Sequence, residues 1–533
     1  MNSVQQIETN FNHPEMIFTE NRLSNELEKI TTLIQNSVDN NTAIHELEKS
    51  LWTQLLTIGY QALALFFGLL GSGDEGEKVT LPNGDEVKRL KGTHHRPYQS
   101  VFGEFKLERT VYGSREGQKI EYVPLDSRLQ LPENKFSYLL QEWDQSFTTE
   151  MPFNQVNKNL AHILGFNQSV NSLERTGQQL ALEVNEFWKS QPLPAANEEG
   201  CILVTTADCT GVPICKPEEI DGFEGFDVEK PKRANKKKMA LVGATYTIDA
   251  YQRTPEEVLD ALFRSSQSSP AQSSRPKPKF KRVRASLLRD EEDKTAPQVN
   301  EIFSWLSDEA RQRSQPYQKP LILLMDGQDS LWQAGLKYLP GDTFVVTEIL
   351  DLLHAASYVW DAAHLFHPKK SQEATDFVRE RLGRILEGQV NSVIKGLQWK
   401  STHAKLRGKK LKKLNQICGY FKNNAHRMFY QDYLEAGYPI ASGVIEGACR
   451  NVVNDRMERT GMRWSLKGAH SMLGLRSIQL SQLWDDFMQF YIKQTSTRLY
   501  PHASLNKAIE TVTDNIFRSA NDENLHTKHA GLT

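Results

Sequence analysis

Of the 533 residues only five are cysteine, and no two of them form a C-x-x-C pair. Cys201, Cys209, Cys215, Cys418 and Cys449 are odd in number. That argues against a disulfide framework and against a Cys-ligated zinc site. A reducing compartment, the cytoplasm, is expected. Long hydrophobic runs are also missing. The most apolar segment, Leu55–Leu70, has 16 residues and contains Gln61. A membrane span needs roughly 20 residues, so a buried helix is expected there and no membrane partner. The polar, acidic N-terminus lacks the features of a signal peptide. No internal repeat is visible. Net charge of one sign is lacking too, at −2, so the overall balance does not announce a polyanion partner.

What is present is an ordinary globular composition, 39% apolar and 24% charged, in a chain long enough for two to four domains. Charge is clustered rather than biased. Lys230–Lys238 (KPKRANKKK), Arg275–Arg284 (RPKPKFKRVR) and Lys400–Lys413 (KSTHAKLRGKKLKK) are dense basic runs. Such runs can bind phosphate backbones or can simply be solvated linkers.

The texture changes along the chain. Residues from about 20 to 70 carry helical patterns and end at the loop GSGDEGE. Tyr98–Tyr112 alternates apolar and polar residues, which predicts a small β-hairpin or pair of strands. Residues from about 133 to 190 are helical again, with two helices expected around Gly165. That pair is compatible with a helix-turn-helix, and equally with a helical hairpin that never meets DNA. From Cys201 onward, β-type runs (CILVTTAD, MALVGATYTIDA, LILLMD, TFVVTEILD) alternate with helical patterns, notably Val299–Arg313. This is an α/β core. Ser265–Arg284, Ser/Pro-rich and then basic, is expected to be a flexible excursion from it. Residues from about 371 to 435 show no strand signal and form a helical insert.

Two of the β-type runs end in aspartate: Asp208 in VTTADCTG and Asp326 in LLMDGQDSLW. In open α/β sheets ligand chemistry gathers at the carboxyl ends of strands. The plain alternative is a turn residue or helix N-cap, and Asp326-Gly327 is itself a turn signal. A third carboxylate, Glu446, lies just past the apolar stripe of the helix that carries Val444, Ile445, Ala448, Cys449, Val452 and Val453. Two aspartates on neighbouring strands and a glutamate from a helix offer hard oxygen ligands for Mg²⁺, or for Mn²⁺. Two such ions roughly 4 Å apart can clamp the attacking and leaving oxygens of a phosphodiester. The gaps of 118 (326 − 208) and 120 (446 − 326) residues do not by themselves define a fold.

Taken together and in order, TTADCTGVPI, KKMALVGATYTID, LMDGQDSLW, EILDLLHAASYVWDAAHLFH and GVIEGACRNVVNDRMERTGMRWS resemble the DDE transposases of bacterial insertion sequences, in particular the ISKra family. YQSVFGEFKLERTVYG resembles a strand segment that these proteins carry upstream. The likeness runs from about residue 95 to 480. It implies an RNase H-like catalytic fold whose metal triad is Asp208, Asp326 and Glu446, with two Mg²⁺ ions. Asp351 and His354 match a D-x-x-H signature beside the core, where the histidine either contacts a phosphate, orders the site or packs. Trp464 matches an aromatic that either stacks on a displaced base or packs behind the site. Arg450 and Arg463 are either phosphate contacts or surface ion-pair partners.

The expected organisation is an N-terminal helical region at 1–90, a small β segment at 91–130 and a helical, candidate DNA-binding region at 131–198. The first part of the catalytic core comes next at 199–370, then the helical insertion at 371–435, the last core helix at 436–480 and a C-terminal helical tail at 481–533. The activity implied is DNA transposition: phosphodiester hydrolysis at the element ends, then attack of the freed 3′-hydroxyl on target DNA. The partners implied are terminal-repeat and target DNA in the bacterial nucleoid, and further copies of the chain, a dimer or larger. Two rivals stand beside it. One is a nuclease or resolvase of the same fold that cuts without joining. The other is a non-catalytic DNA-binding protein derived from a transposase.

Overall fold

Cys201–Asp208 and Leu321–Met325 are apolar with little alternation, the pattern of strands buried on both faces. They lie side by side in one five-stranded sheet. The computed structural model that shows this describes residues 15–117, 119–215, 237–263, 275–288, 299–315, 318–459 and 461–501. Most of the basic run Lys230–Lys238, the Ser-rich start of Ser265–Arg284, and the two ends of the chain lie outside the described residues.

Two helices, α1 (Glu15–Asp39) and α2 (Ile44–Leu70), precede five short strands: β1 (Lys78–Thr80), β2 (Glu86–Arg89), β3 (His94–Ser100), β4 (Gly103–Arg109) and β5 (Tyr112–Gly113). Next come helices α3 (Pro124–Leu129), α4 (Tyr138–Glu150), α5 (Phe153–Leu164), α6 (Val170–Ala181) and α7 (Val184–Ser190). Strands β6 (Ile202–Pro213), β7 (Lys237–Ile248), β8 (Lys279–Leu287), β9 (Leu321–Met325) and β10 (Val346–Leu350) are interleaved with α8 (Pro255–Phe263), α9 (Val299–Arg313) and α10 (Asp329–Tyr338). The rest is helical: α11 (Leu352–Phe366), α12 (Gln372–Leu386), α13 (Val390–His403), α14 (Gly408–Asn424), α15 (Tyr430–Glu435), α16 (Gly443–Cys449), α17 (Asp455–Met457), α18 (Leu466–Leu480) and α19 (Trp484–Leu499). The chain divides into two compact units, Met1–Thr176 with Asp485–Thr533, and Gly177–Trp484.

In the first unit, β3 and β4 form the expected hairpin, with Tyr98 paired to Phe105. Arg96 and Arg109 both reach Asp126 of α3, at 2.7 and 2.5 Å. The helix α2 departs from expectation. It is long and apolar enough to cross a membrane by length and composition alone, yet Ala64 is its one fully buried residue. Tyr60, Leu63 and Phe67 pack on Phe105 and Leu107. Leu55, Phe66 and Leu69 remain exposed. One face of the helix is covered and the other is not, so its hydropathy overstates its burial.

Gly165 ends α5 in the left-handed conformation, φ 80°, which only glycine adopts at no cost. The loop after it is held by Gln168, whose Nε2 donates to Asp144 Oδ2 of α4 at 2.7 Å. Asp144 Oδ1 and Gln168 Oε1 are buried with no hydrogen-bond partner among the described residues. A proton on Asp144 would let its hydroxyl donate to that amide oxygen. Burial agrees with this, pushing the Asp144 carboxyl up to about 7 against the lowering effect of the Gln168 bond.

The second unit is a three-layer α/β arrangement. Its sheet order is β10-β9-β6-β7-β8, with β10, β9 and β6 parallel and β6, β7 and β8 antiparallel. The sheet has five strands where four were expected. Lys279–Leu287 belongs to it as β8, so this part of the expected flexible excursion is ordered. Arg282 and Arg284 point to carboxylates on α9, Glu309 at 2.7 Å and Glu301 at 3.0 Å. Val204, Ile322, Leu324 and Ile349 face one layer, packed by α8, by α11 and by the insertion helices α12–α15. Leu203, Leu321, Leu323 and Met325 face the other, packed by α9 and α10. Arg313 of α9, fully buried, bridges Glu199 just ahead of β6 and Glu309, at 2.6 and 2.9 Å.

The raised Asp144 carboxyl sets a pH dependence. Its folded-state pKa lies above the unfolded value, so its stability contribution is full below about pH 4 and is lost as pH rises to about 7. Three pKa units correspond to roughly 4 kcal/mol as an upper figure. Asp144→Asn is expected to match the parent near pH 4 and to be the more stable protein at pH 8, by roughly 2–4 kcal/mol. Urea denaturation at the two pH values measures this. An unchanged pH profile in the variant would show that Asp144 stays ionised.

Candidate active site

The parallel ladders fix where the acids stand. Leu203 pairs with Leu321 and Thr205 with Leu323, an offset of 118 (321 − 203). The same offset carries Asp208 to Asp326. Val346 pairs with Leu321, an offset of 25 (346 − 321), and this carries Asp326 to Asp351. Extended past the last paired residues, the register therefore aligns three aspartates carried by three adjacent parallel strands. Alternation places Asp208 and Asp326 on the face of Val204, Ile322 and Leu324, beneath the insertion helices.

The three are not equivalent. Asp326 directly follows β9, and its Oδ1 accepts the Gln328 N–H at 3.0 Å. Asp208 was expected at the end of its strand and instead lies within β6, which continues to Pro213. Paired to β7 throughout, β6 outruns its short ladder with β9. Asp208 Oδ1 accepts the N–H of Cys209 at 2.6 Å. Asp351 is fully buried. Its Oδ1 caps α11 at Leu353 N, 2.6 Å. Its Oδ2 accepts the Ser442 N–H at 2.9 Å and the Ser442 hydroxyl. Asp351 therefore ties β10 and α11 to the start of α16, and Glu446 stands four residues beyond Ser442.

Glu446 is exposed on α16, whose Ile445, Ala448 and Cys449 are buried. Burial raises the Glu446 carboxyl, the charges of Asp351 and Asp208 add to this, and His354 opposes it. Burial likewise raises Asp208; the Cys209 N–H and His354 counter it, and the charge of Asp326 reinforces it. The three acids and His354 thus share one electrostatic neighbourhood. Among the described residues no Lys or Arg pairs with Asp208, Asp326 or Glu446, and no three His, Cys, Asp or Glu side chains are already drawn together at metal-ligand distance. An unneutralised group of hard carboxylates fits a divalent cation in its chemistry.

The helix after Glu446 widens into a π turn over Arg450–Asn454, a feature frequent at functional sites. The buried Arg476 guanidinium satisfies its carbonyls, donating to Val452 O at 2.8 Å and to Asn451 O. Arg450 is exposed and pairs with Asp455 at 3.5 Å. Arg463 is exposed. Trp464 is buried, donates to Met457 O at 3.1 Å and lies under Arg456, 4.9 Å from its ring. In this structure Trp464 packs within the fold.

Three site residues carry no sequence signal of their own. The Cys449 thiol donates to Asp208 Oδ2 at 3.8 Å. Burial, reinforced by Asp208 and Asp326, pushes Cys209 up to about 12, so it stays a thiol. Tyr420 of α14 lies against Gly327, where any Cβ would overlap its ring. Tyr420 also stacks on Tyr358 of α11, centroids 3.8 Å apart. Its hydroxyl is raised by burial and then by Tyr358, Asp326 and Asp351. Glu446, three residues before Cys449, is the one neighbour that pointed toward it.

No family model matches the chain. No curated protein matches it either. Matches among solved structures include the Drosophila P element transposase strand transfer complex, at 12% identity over 71% of this chain and 84% of that one, with a TM-score of 0.23. A score of that size supports no inference about fold or activity.

Asp351 and Glu446 should respond oppositely to mutation. Asp351→Ala removes a cap and strands two buried donors, so it is expected to lower stability by roughly 2–4 kcal/mol. Glu446→Gln, on an exposed position, is expected to stay within about 0.5 kcal/mol of the parent. Chemical denaturation of both variants measures the contrast, and a stable Asp351→Ala protein would refute the tethering role.

Proposed function

We propose that the chain is a DNA transposase of the DDE kind, with an RNase H-like core interrupted by a helical insertion. It would cleave a phosphodiester at the ends of its element and transfer the freed strand into target DNA. One observation carries the reading: the register that pairs β6 with β9 aligns Asp208 with Asp326, Glu446 comes from a helix over the same face, and among the described residues no Lys or Arg pairs with any of the three. When bound by these three carboxylates, two Mg²⁺ ions, or Mn²⁺ in their place, would activate the attacking oxygen and neutralise the leaving one.

The chain's own residues do the positioning. Backbone N–H groups of Cys209 and Gln328 fix the two aspartates, and the Cys449 thiol holds the second oxygen of Asp208. His354 offsets the charge that Asp208 and Glu446 impose on each other. Asp351 orients the Glu446 helix and does not touch substrate. The exposed Arg450–Asp455 pair is weak, as surface pairs are, so Arg450 can exchange its carboxylate for a phosphate, and Arg463, also exposed, is a second candidate phosphate contact. The helices α4–α6 are assigned to recognition of the element ends. Joining two ends in one reaction calls for at least two copies of the chain, acting on DNA in the cytoplasm.

Strand transfer tests this, with Mg²⁺ and DNA carrying the ends of the element that encodes the chain. The parent is expected to give joined products. Asp208→Asn and Glu446→Gln are expected to lose them by roughly a hundredfold or more while still binding DNA. Cleavage without joining would make the chain a nuclease. Binding with no chemistry in any of the proteins would make it a regulator.

A further inference from the structure

The insertion carries a charge pattern unlike the rest of the molecule. Between Gly388 and Gln431 there are ten Lys and Arg residues and no Asp or Glu. They concentrate where α13 turns into α14. Lys405, Arg407, Lys409, Lys410 and Lys412 are exposed there, and among the described residues none has an acidic partner. Lys413 is the exception, paired with Asp361 at 2.8 Å. Lys409 and Lys410 sit in the first turn of α14, the end of a helix at which positive charge is unfavourable. The fold therefore holds these cations together against their mutual repulsion.

An exposed aromatic stands in the same tip. Trp399, in the last turns of α13, is 64% exposed, an unusual state for the largest apolar side chain. His403, one turn on, lies against it with ring centroids 3.8 Å apart and an interplanar angle of 32°, and its Nδ1 contacts Trp399 O at 2.9 Å. The indole is held in place with an open face. Five unneutralised cations beside one presented aromatic face match a polyanion that also offers flat bases.

The tip is connected to the acids by a single rigid element. On α14, seven residues separate Lys413 from Tyr420, and eleven separate Lys409 from it. At 1.5 Å per residue these are roughly 10 and 16 Å. Tyr420 packs on Gly327, next to Asp326. A strand of DNA rises about 3.4 Å per nucleotide, so the tip lies roughly three to five nucleotides from the acids. We infer that the α13–α14 tip is a DNA-docking surface: its cations hold the phosphates of the strand that leads to Asp208, Asp326 and Glu446, and Trp399 stacks on an unpaired base of that strand.

This inference rests on the DNA-processing reading above, so its test reads binding, not chemistry. The full chain is titrated, in EDTA, into labelled duplex DNA of the element end, blunt or with a 3′ single-stranded overhang, across a salt series. Lys409→Glu/Lys410→Glu/Lys412→Glu is expected to weaken binding at least tenfold and to lower the slope of log affinity against log salt by about 2–3. Lys→Arg at the same positions should bind as the parent does. Trp399→Ala is expected to cost several-fold on the overhang and little on the blunt duplex. All these positions are on the surface, and unchanged thermal melting would confirm intact folding. If the parent binds DNA while the triple variant keeps its affinity and slope, the inference is overturned and the transposase reading stands. Equal losses for Trp399→Ala on both DNAs would overturn the stacking role. No binding by the parent would instead remove the DNA-processing reading.

Discussion

The site depends on one constraint, the register of three parallel strands. Side chains along a strand alternate between faces, so a slip of one residue would send Asp208 or Asp326 to the opposite layer. The offsets of 118 and 25 residues that align β6, β9 and β10 are enforced from both sides of the sheet. Leu203, Leu321 and Leu323 are locked among α9 and α10, and Val204, Ile322 and Leu324 among the insertion helices. Each of these six side chains is buried, five of them completely. Burying side chains of this size contributes roughly 1.5–3 kcal/mol apiece. That is ample to hold carboxylates at positions where their charges oppose one another.

The helical half of the site is held by polar contacts instead. Asp351 is level with Asp326 in the register, yet its oxygens are spent on the N–H groups of Leu353 and Ser442 and on the Ser442 hydroxyl. It fixes the chain one turn before Glu446. On the far side, the Arg476 guanidinium receives the carbonyls released by the π turn, which would otherwise be buried without partners. Glu446 thus stands between two anchored ends. Its own side chain is exposed, which leaves it free to reorient, as the proposed hard-ligand role would require.

The central strands and the acids were legible in the sequence because their signals are local. LILLMD announces both a strand and the aspartate just past its end, and VTTAD does so nearly as well, erring only in where β6 stops. That strand runs on because β7 pairs with it across twelve residues, a non-local fact. The strand β8 was hidden for a related reason. KFKRVRASL presents as a basic run, and its alternation becomes meaningful only when Glu301 and Glu309 of α9 are placed against Arg284 and Arg282. Apolarity misled at α2, where only one face of the helix finds a partner. Tyr420 and Cys449 could not be found by spacing at all, since they join the site from elements 94 (420 − 326) and 241 (449 − 208) residues away from the aspartates they serve.

The insertion then has a physical rationale as part of the sheet it interrupts. Leu414, Ile417, Cys418 and Phe421 of α14 pack into the layer that covers β6, β9 and β10. Without that layer the face carrying Asp208 and Asp326 would lie in water, and the burial that raises Asp208 would be gone. The same helix places Tyr420 at Gly327 and ends in a cluster of unneutralised lysines. A rod whose buried side sets the dielectric around the acids, and whose outer end concentrates positive charge, joins in one element two features that the proposed phosphodiester chemistry would require. On that proposal the acids would need cations close by, and the polyanion would have to be held against the repulsion of those same acids. A local cluster of positive charge within a chain of net charge −2 provides the second without weakening the first, because α14 keeps the lysines roughly two to three turns away from the carboxylates.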